Sequence, residues 1–228
     1  MFNTEKYQNI INKLLDNGLE PSTNWNGKIN SKTLFLRHDV DFSIDFAHSL
    51  AKFEFNQNVQ STYFFMLTSN MYNLFSNYNR TLVKNIAEMG HKISLHFDPS
   101  AYESLEKFLD EKKIFENTFK INIEIVSIHR PRLFLNDNNI NLSGIAQTYQ
   151  DIYFKKMKYI SDSGGRDIFS DVIEYLKKPN EKGLHLLTHP IWWVGKGDNP
   201  TATLNFWRDN NANFITSQIR NNCKTYTD

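Results

Sequence analysis

The feature that most constrains the fold is a regular alternation of strand-length apolar runs with amphipathic helical segments. Apolar spacing predicts strands at residues 33–38, 61–67, 91–95, 121–128 and 184–188. It predicts helices at residues 4–17, 80–89, 103–115, 168–176 and 204–220, with another beginning after Ser43. Strands that alternate with helices pair in parallel and are covered by those helices. Six or seven such units predict an α/β fold that can close into a barrel.

The alternation runs through the whole chain, which predicts one domain at residues 1–228. No stretch rich in Pro, Gly or Ser, no charge block and no repeat interrupts it. A chain of 228 residues that is 40% hydrophobic can bury a substantial core. The amphipathic helix at residues 4–17 is expected to pack on this domain.

Charge and hydropathy argue against several classes of partner. The 26 basic and 25 acidic residues leave a formal net charge of +1, so no electrostatic attraction to nucleic acid is expected. No segment approaches the roughly 18 apolar residues of a membrane span, and residues 1–15 lack the apolar core of a secretory signal. We therefore expect a cytoplasmic protein. Its single cysteine, Cys223, implies that any bound metal uses His, Asp or Glu ligands.

Polar residues of a few types recur directly after the predicted strands. They are Arg37-His38-Asp39-Val40-Asp41, His96-Phe97-Asp98, His129-Arg130-Pro131, Asp162 and His189-Pro190. In parallel α/β folds, ligands bind at the carboxyl ends of the strands, where successive loops converge. The recurrence of Asp, His and Arg at these positions therefore predicts a functional site at one edge of the sheet.

Two pairs of these residues are spaced so that both members serve one site. Side chains alternate across a strand, so Asp39 and Asp41 point to the same side, where one carboxylate could bind metal and the other accept a proton. His96 and Asp98 are also two residues apart, and imidazole with carboxylate suits a borderline cation such as zinc. Each aspartate could equally cap a helix. It is the recurrence along the chain that favours a site.

Three of the seven histidines stand out because of their position, namely His96, His129 and His189. His189 follows the apolar run at 184–188, and an imidazole that titrates near neutrality can act there as a general acid. The alternative is a histidine held by a loop carbonyl. Beyond it, Trp192 and Trp193 could stack on a sugar ring or could pack against the barrel.

The order of these motifs resembles the polysaccharide deacetylase superfamily, the NodB-homology group of carbohydrate esterase family four. The resemblance extends over residues 32–194. Residues 37–41, RHDVD, resemble the first motif of that family. This implies that Asp39 acts as the general base and that Asp41 binds a metal.

The second motif of the family contains two histidines four residues apart. Residues 90–96 resemble its beginning, with His96 as the first histidine, but Ser100 stands at the position of the second. The third metal ligand is then His129 or Asp98. We favour His129 because it lies at the end of a predicted strand.

The remaining motifs follow in the order of the family. Arg130-Pro131 resembles the third motif, which implies that Arg130 pairs with Asp39 and keeps it ionised. Residues 161–166 resemble a degenerate fourth motif, which implies that Asp162 orients the catalytic histidine. His189 matches that histidine in the fifth motif.

The resemblance implies a metal-dependent hydrolase that removes an acetyl or formyl group from the nitrogen of an amino sugar. It implies a divalent metal, commonly zinc, and a distorted barrel of about seven parallel strands. The expected substrate is a soluble N-acylated amino sugar or sugar nucleotide of surface-polysaccharide synthesis, and the backbone amide of Arg132 is expected to stabilise the oxyanion. Two alternatives are a barrel hydrolase of a non-sugar amide and a catalytically inactive glycan-binding pseudoenzyme.

Overall fold

Parallel strands alternate with helices along most of the chain in the computed structural model, which describes residues 2–227. The strands in this range are β1 (Glu20–Pro21), β2 (Thr33–Val40), β3 (Thr62–Phe65), β4 (Lys92–Phe97), β5 (Ile125–Ile128), β6 (Ala146–Gln147), β7 (Lys158–Ser161) and β8 (Leu184–Thr188). The predicted strands at 33–38, 61–67, 91–95, 121–128 and 184–188 correspond to β2, β3, β4, β5 and β8. The sequence analysis did not predict β1, β6 and β7, of which two are only two residues long.

The α-helices of the described range are α1 (Thr4–Asp16), α2 (Ile44–Asn56), α3 (Asn77–Glu88), α4 (Lys107–Phe119), α5 (Arg132–Asn136), α6 (Phe169–Lys177), α7 (Pro190–Val194) and α8 (Pro200–Asn222). Side-chain oxygens of Asn3 and Ser43 cap α1 and α2 by accepting from free backbone amides of the first turn. Helix α4 begins four residues after the predicted start at residue 103. Among residues 2–227, no helix combines the length and hydropathy that crossing a bilayer requires.

Seven strands form one parallel path in the order β6-β5-β4-β3-β2-β8-β7, and β1 pairs with the beginning of β2. The interior strand β2 pairs with β3 on one side and with β8 on the other. The sheet curls into a half-barrel, and within the described residues no ladder joins β6 to β7. The prediction of a distorted barrel of about seven parallel strands is therefore confirmed.

All eight residues of β2 are buried, because both faces of this strand are covered. Leu34 and Leu36 pack in a cluster with apolar side chains of α1, α6 and α7. Phe35 faces the lumen, where the ring of Trp25 stacks on it at a centroid distance of 4.1 Å. Tyr153 packs against the same rings and donates to the Trp25 carbonyl. These aromatic rings fill the lumen around the beginning of β2, and the polar residues near its end lie at the opposite, carboxyl edge.

A buried carboxylate joins the helices to the outer face of the barrel. Glu54 of α2 is 1% exposed and accepts from Ser61 Oγ at 2.6 Å, from Tyr63 Oη at 2.7 Å and from Tyr7 Oη of α1. Its other close partner is His38 Nε2 at 2.9 Å. Although burial alone would raise the pKa of Glu54, the neighbouring His38 lowers it to about 2.

Replacing Glu54 by glutamine is expected to destabilise the fold strongly, because it removes one partner of a buried polar network. Removing one partner of a buried ion pair costs about 3–5 kcal/mol, which corresponds to a fall in Tm of roughly 6–20 °C for a chain of this size. Since the pKa of Glu54 lies below its unfolded value, this contribution is present above about pH 4.5 and is lost as the pH falls towards 2. Thermal unfolding of wild type, Glu54→Gln and the exposed control Glu103→Gln at pH 7 checks the first statement, and the same measurement between about pH 4.5 and 2 checks the second. Equal Tm values in the two variants at pH 7, or a difference that does not shrink as the pH falls, would contradict them.

Candidate active site

A cleft of about 190 Å³ opens at the carboxyl edge of the barrel. Its walls include six of the residues predicted for the site, namely Asp39, Asp41, His96, His129, Arg130 and His189. Asp162 lies behind His189 and is fully buried. The structure thus brings the predicted residues from five separate segments of the chain to one place.

Three ligand-type atoms converge on one side of the cleft. Asp41 Oδ1 lies 3.2 Å from His96 Nε2 and 3.6 Å from His129 Nδ1, and the two nitrogens are 3.2 Å apart. Asp41 Oδ1 is buried, yet it accepts no hydrogen bond from any described residue. These three residues form a group that can hold a metal ion.

The spacing of this group fits a small divalent cation. Zinc binds histidine nitrogen and carboxylate oxygen at about 2.0–2.1 Å with tetrahedral angles, which separates the ligand atoms from one another by about 3.3–3.4 Å. The three observed separations, 3.2, 3.2 and 3.6 Å, bracket that value. Asp41 Oδ1 has no hydrogen-bond partner within residues 2–227 and faces two imidazole nitrogens. One carboxylate oxygen with two imidazole nitrogens is a set of ligands that suits zinc.

Asp98, the alternative third ligand, lies on the far side of the His129 ring. Its Oδ2 atom is 4.0 Å from His129 Nε2, whereas the atom that faces Asp41 and His96 is Nδ1. Asp98 Oδ1 accepts from the backbone amide and the hydroxyl of Ser100 and caps a short 3-10 turn. The contacts of Asp98 are therefore those of a cap, and His129 Nδ1 is the atom that faces Asp41 and His96.

Asp39 is held by a guanidinium that the resemblance did not indicate. Arg37, two residues earlier on the same face of β2, donates from Nε to Asp39 Oδ1 at 2.9 Å and from Nη2 to Asp39 Oδ2 at 2.6 Å. Both side chains are buried. Burial alone would raise the pKa of Asp39, but the charge of Arg37 holds it well below its usual range. The expected pairing of Arg130 with Asp39 is thus wrong, because Arg37 fills that place.

Arg130 instead lies at the rim of the cleft. Its side chain is exposed, and its backbone adopts a left-handed conformation with φ of 48°. A residue other than glycine is strained there, and such strain persists only where the surrounding structure imposes it. Arg130 lines the cleft, but among the described residues it is Arg37 and not Arg130 that forms the ion pair with Asp39.

Ser127 is a site residue that the sequence analysis missed. It lies on β5 beside His96 of β4 in the parallel register, and it is fully buried. Its Oγ atom contacts Arg37 Nη2 at 2.7 Å, Asp39 Oδ1 at 2.9 Å and His96 Nδ1 at 2.9 Å. The only signal in the sequence was its position two residues before His129 on a predicted strand, which places both on one face.

His189 and Asp162 form a tight pair at the opposite wall. His189 Nδ1 lies 2.5 Å from Asp162 Oδ1, and Asp162 Oδ2 accepts from the His189 amide at 3.0 Å and from Trp193 Nε1 at 2.7 Å. Burial by itself lowers the pKa of His189, but the charge of Asp162 outweighs this and raises the pKa to about 9. His189 Nε2 is left facing the cleft, 3.8 Å from Asp41 Oδ2.

The structure decides between the two interpretations of Trp192 and Trp193, and it corrects the expected role of the Arg132 amide. Trp192 and Trp193 are 6% and 1% exposed and belong to the core between barrel and helices, so neither offers a ring face to a sugar. The backbone amide of Arg132 donates to the Arg130 carbonyl at 2.8 Å and is therefore not free to bind an oxyanion.

No protein-family model matches the chain, and no curated protein matches it. Solved structures do match. One is a mutant of a CE4 family pseudoenzyme from Bacillus anthracis, with 11% identity over 81% of this chain and a TM-score of 0.48. The chain is similar in fold to family 4 carbohydrate esterases. It spans slightly less than two thirds, 65%, of the pseudoenzyme chain.

Two further solved structures match the chain with similar TM-scores. A family 4 carbohydrate esterase from Bacillus anthracis is 14% identical, with 89% of this chain and 84% of that chain covered and a TM-score of 0.43. A peptidoglycan deacetylase from Bacillus subtilis is 11% identical, with 80% and 83% covered and a TM-score of 0.48.

Proposed function

We propose that this chain is a metal-dependent hydrolase that removes an N-acyl group, acetyl or formyl, from an amino sugar. The observation that carries the proposal is the convergence of Asp41, His96 and His129 beside a separately held carboxylate and a separately held imidazole. A cluster that only binds a ligand has no chemical need for a base and an acid on opposite sides of a cation site. Metal-dependent amide hydrolysis uses a cation site, a general base and a general acid together.

In this proposal, Asp41, His96 and His129 hold the divalent ion, with zinc as the expected metal. When bound, such an ion acts as a Lewis acid that polarises the carbonyl of an amide and stabilises its developing negative charge. The donor set agrees with this assignment, since three protein ligands of this kind would hold the ion and leave room for substrate, as in catalytic zinc sites.

Asp39 serves as the general base. Its carboxylate is kept ionised and oriented by the two hydrogen bonds from Arg37, so an oxygen is available to accept a proton from the attacking water. Its Oδ2 atom lies 3.8 Å from His96 Nε2, which places the base next to the ligand group.

His189 serves as the general acid. Asp162 holds its Nδ1 atom, so the Nε2 atom points into the cleft and can donate a proton to the amine nitrogen that leaves. The raised pKa keeps the ring protonated at neutral pH. The two catalytic groups therefore have opposite protonation states, because Arg37 stabilises the charge of one and Asp162 the charge of the other.

We assign Arg130 a new role, as a residue that contacts substrate. It is exposed on the cleft wall, next to the ligand His129, and its guanidinium is not committed to Asp39. A phosphate or carboxylate on the substrate is the chemistry that such a group recognises. This supports a sugar nucleotide as the form of the N-acylated amino sugar.

Replacing Asp162 by asparagine is expected to move the alkaline limb of the rate profile to lower pH. Activity requires protonated His189 and is lost as pH rises through its pKa, and removing the charge that raises this pKa lowers it by about one to three units. The profile of kcat/KM against pH checks this. Asp167→Asn, an exposed aspartate five residues away, is the control. An unmoved alkaline limb in Asp162→Asn would contradict the assignment of His189.

The function is tested by metal content and by amine release. Protein purified without chelators is analysed by plasma mass spectrometry, and the loaded protein is incubated with N-acetyl and N-formyl amino sugars and their nucleotides. We expect about one divalent ion per chain and release of a primary amine, both lost in Asp41→Ala and His96→Ala. Metal without release from any amino sugar would favour a non-sugar amide as substrate. Absence of both would favour a glycan-binding protein without catalysis.

A further inference from the structure

We infer that Ser127 is a positioning residue that fixes the tautomer of His96 and joins the metal-ligand group to the general base. The inference deepens the proposed function and rests on it in one respect, the identity of His96 as a ligand. The contacts that carry it are three hydrogen bonds at one fully buried hydroxyl.

The donors and acceptors at Ser127 Oγ can be assigned one by one. Arg37 Nη2 can only donate, so it occupies one lone pair of the oxygen. Asp39 Oδ1, which also accepts from Arg37 Nε, accepts the single hydroxyl hydrogen of Ser127. His96 Nδ1 is the third partner at 2.9 Å, and only the second lone pair is left for it. His96 must therefore donate from Nδ1.

This assignment decides which ring nitrogen of His96 has a free lone pair that can bind a metal. With the proton on Nδ1, the Nε2 atom of the neutral ring carries a lone pair, and Nε2 is the atom that lies 3.2 Å from both Asp41 Oδ1 and His129 Nδ1. A ligating histidine usually donates its other ring N–H to a fixed acceptor, which sets its orientation and basicity. Ser127 is that acceptor.

The Ser127 hydroxyl also orients the general base, Asp39. Ser127 donates to Asp39 Oδ1, the oxygen that Arg37 Nε holds, so the orientations of Asp39 and His96 depend on one oxygen atom. This oxygen uses its whole hydrogen-bonding capacity, one donor and two acceptors, within the site. A serine that merely filled space in β5 would not meet three functional side chains in compatible roles.

The first test measures metal affinity. Zinc and cobalt affinities of Ser127→Ala are compared with wild type and with Ser94→Ala by competition with a chromophoric chelator. Ser94 is the matched control, because it is an equally buried serine on β4 whose hydroxyl donates to the Ile125 carbonyl at 2.5 Å. We expect Ser127→Ala to bind zinc about 10–100-fold more weakly, the usual effect of losing such a partner, and Ser94→Ala to match wild type. Equal affinities in Ser127→Ala and wild type would overturn the inference.

The second test needs neither metal nor substrate, so it separates this inference from the proposed function. Nitrogen NMR of metal-free protein labelled in histidine, recorded at about pH 9 where an ordinary imidazole is neutral, reports which ring nitrogen carries the proton. We expect the Nδ1–H form of His96 in wild type and in Ser94→Ala, and a shift towards Nε2–H in Ser127→Ala. An Nε2–H form in wild type, or an unchanged tautomer in Ser127→Ala, would refute the role of Ser127 even if zinc binds. The expected tautomers in a chain that binds no metal would sink the proposed function and leave the hydrogen-bond assignment standing.

Discussion

Replacing His129 by alanine is expected to abolish stoichiometric zinc binding. Its Nδ1 atom lies 3.2 Å from His96 Nε2 and 3.6 Å from Asp41 Oδ1, so its loss leaves two ligand atoms where three converge. Losing only a hydrogen-bond partner of a ligand weakens metal binding by about 10–100-fold, so losing the ligand itself should cost more than about 100-fold. Competition titration and plasma mass spectrometry measure the effect.

Asp98→Asn is the informative comparison, because Asp98 is the other candidate for the third ligand. Asparagine keeps the oxygen that caps the turn at Ser100, and the second carboxylate oxygen is 4.0 Å from the ring nitrogen of His129 that faces away from the ligand group. We expect its zinc affinity to lie within a few-fold of wild type. His48→Ala, a partly exposed histidine of α2, controls for non-specific loss of an imidazole. The reverse pattern, with binding retained in His129→Ala and lost in Asp98→Asn, would identify Asp98 as the ligand.

The position of the site could be predicted from the sequence because parallel strands impose it. Once strands alternate with helices, every strand ends at the same edge, so residues far apart in sequence such as Asp41, His96 and His189 must meet there. The alternation of side chains along β2 likewise required Asp39 and Asp41 to share a side. Both statements depend only on strand geometry, and the structure places these side chains around one cleft.

The pairing of side chains within the site could not be predicted in the same way. Arg37 lies two residues before Asp39, and Arg130 follows another predicted strand that ends at the same edge. Strand order alone does not say which of the two guanidinium groups reaches Asp39. In the structure, Arg130 has a left-handed backbone and an exposed side chain at the rim, whereas Arg37 extends along the face of its own strand to Asp39. Such a local dihedral has no signature in apolar spacing. The signal in the sequence was the spacing of two residues between Arg37 and Asp39, which places both side chains on one face of the strand.

The missed contribution of Ser127 has a related cause. A serine in a short buried strand ordinarily has no role in a functional site. The role of Ser127 becomes visible only in the strand register, which places it beside His96. The start of helix α4 also could not be predicted from apolar spacing. Apolar spacing placed its start at residue 103, but the Ser104 hydroxyl accepts from the Glu106 amide and holds the preceding residues in a turn.

Replacing Asp39 by asparagine is expected to lower kcat/KM by roughly 10²–10⁴, the usual contribution of a general base, while zinc stoichiometry stays near wild type. The change also leaves Arg37 as an unpaired charge in the interior, because both partners are buried. Removing one partner of such a pair costs about 3–5 kcal/mol of unfolding free energy. A loss of activity in Asp39→Asn alone would therefore not separate chemistry from stability.

The double variant Arg37→Met/Asp39→Asn separates them. Methionine approximates the length of the arginine stem and removes the unpaired charge. The double variant should therefore be more stable than either single variant. A double-mutant cycle measured by urea unfolding should give a coupling energy of about 3 kcal/mol. Its activity should nevertheless remain at the level of Asp39→Asn, because restoring stability does not restore a base. Arg37→Met alone should retain Asp39 but lose the hydrogen bonds that orient it, so its kcat should fall with zinc still bound. If activity instead recovers together with stability in the double variant, Asp39 is a structural partner of Arg37 and the base must be sought elsewhere in the cleft.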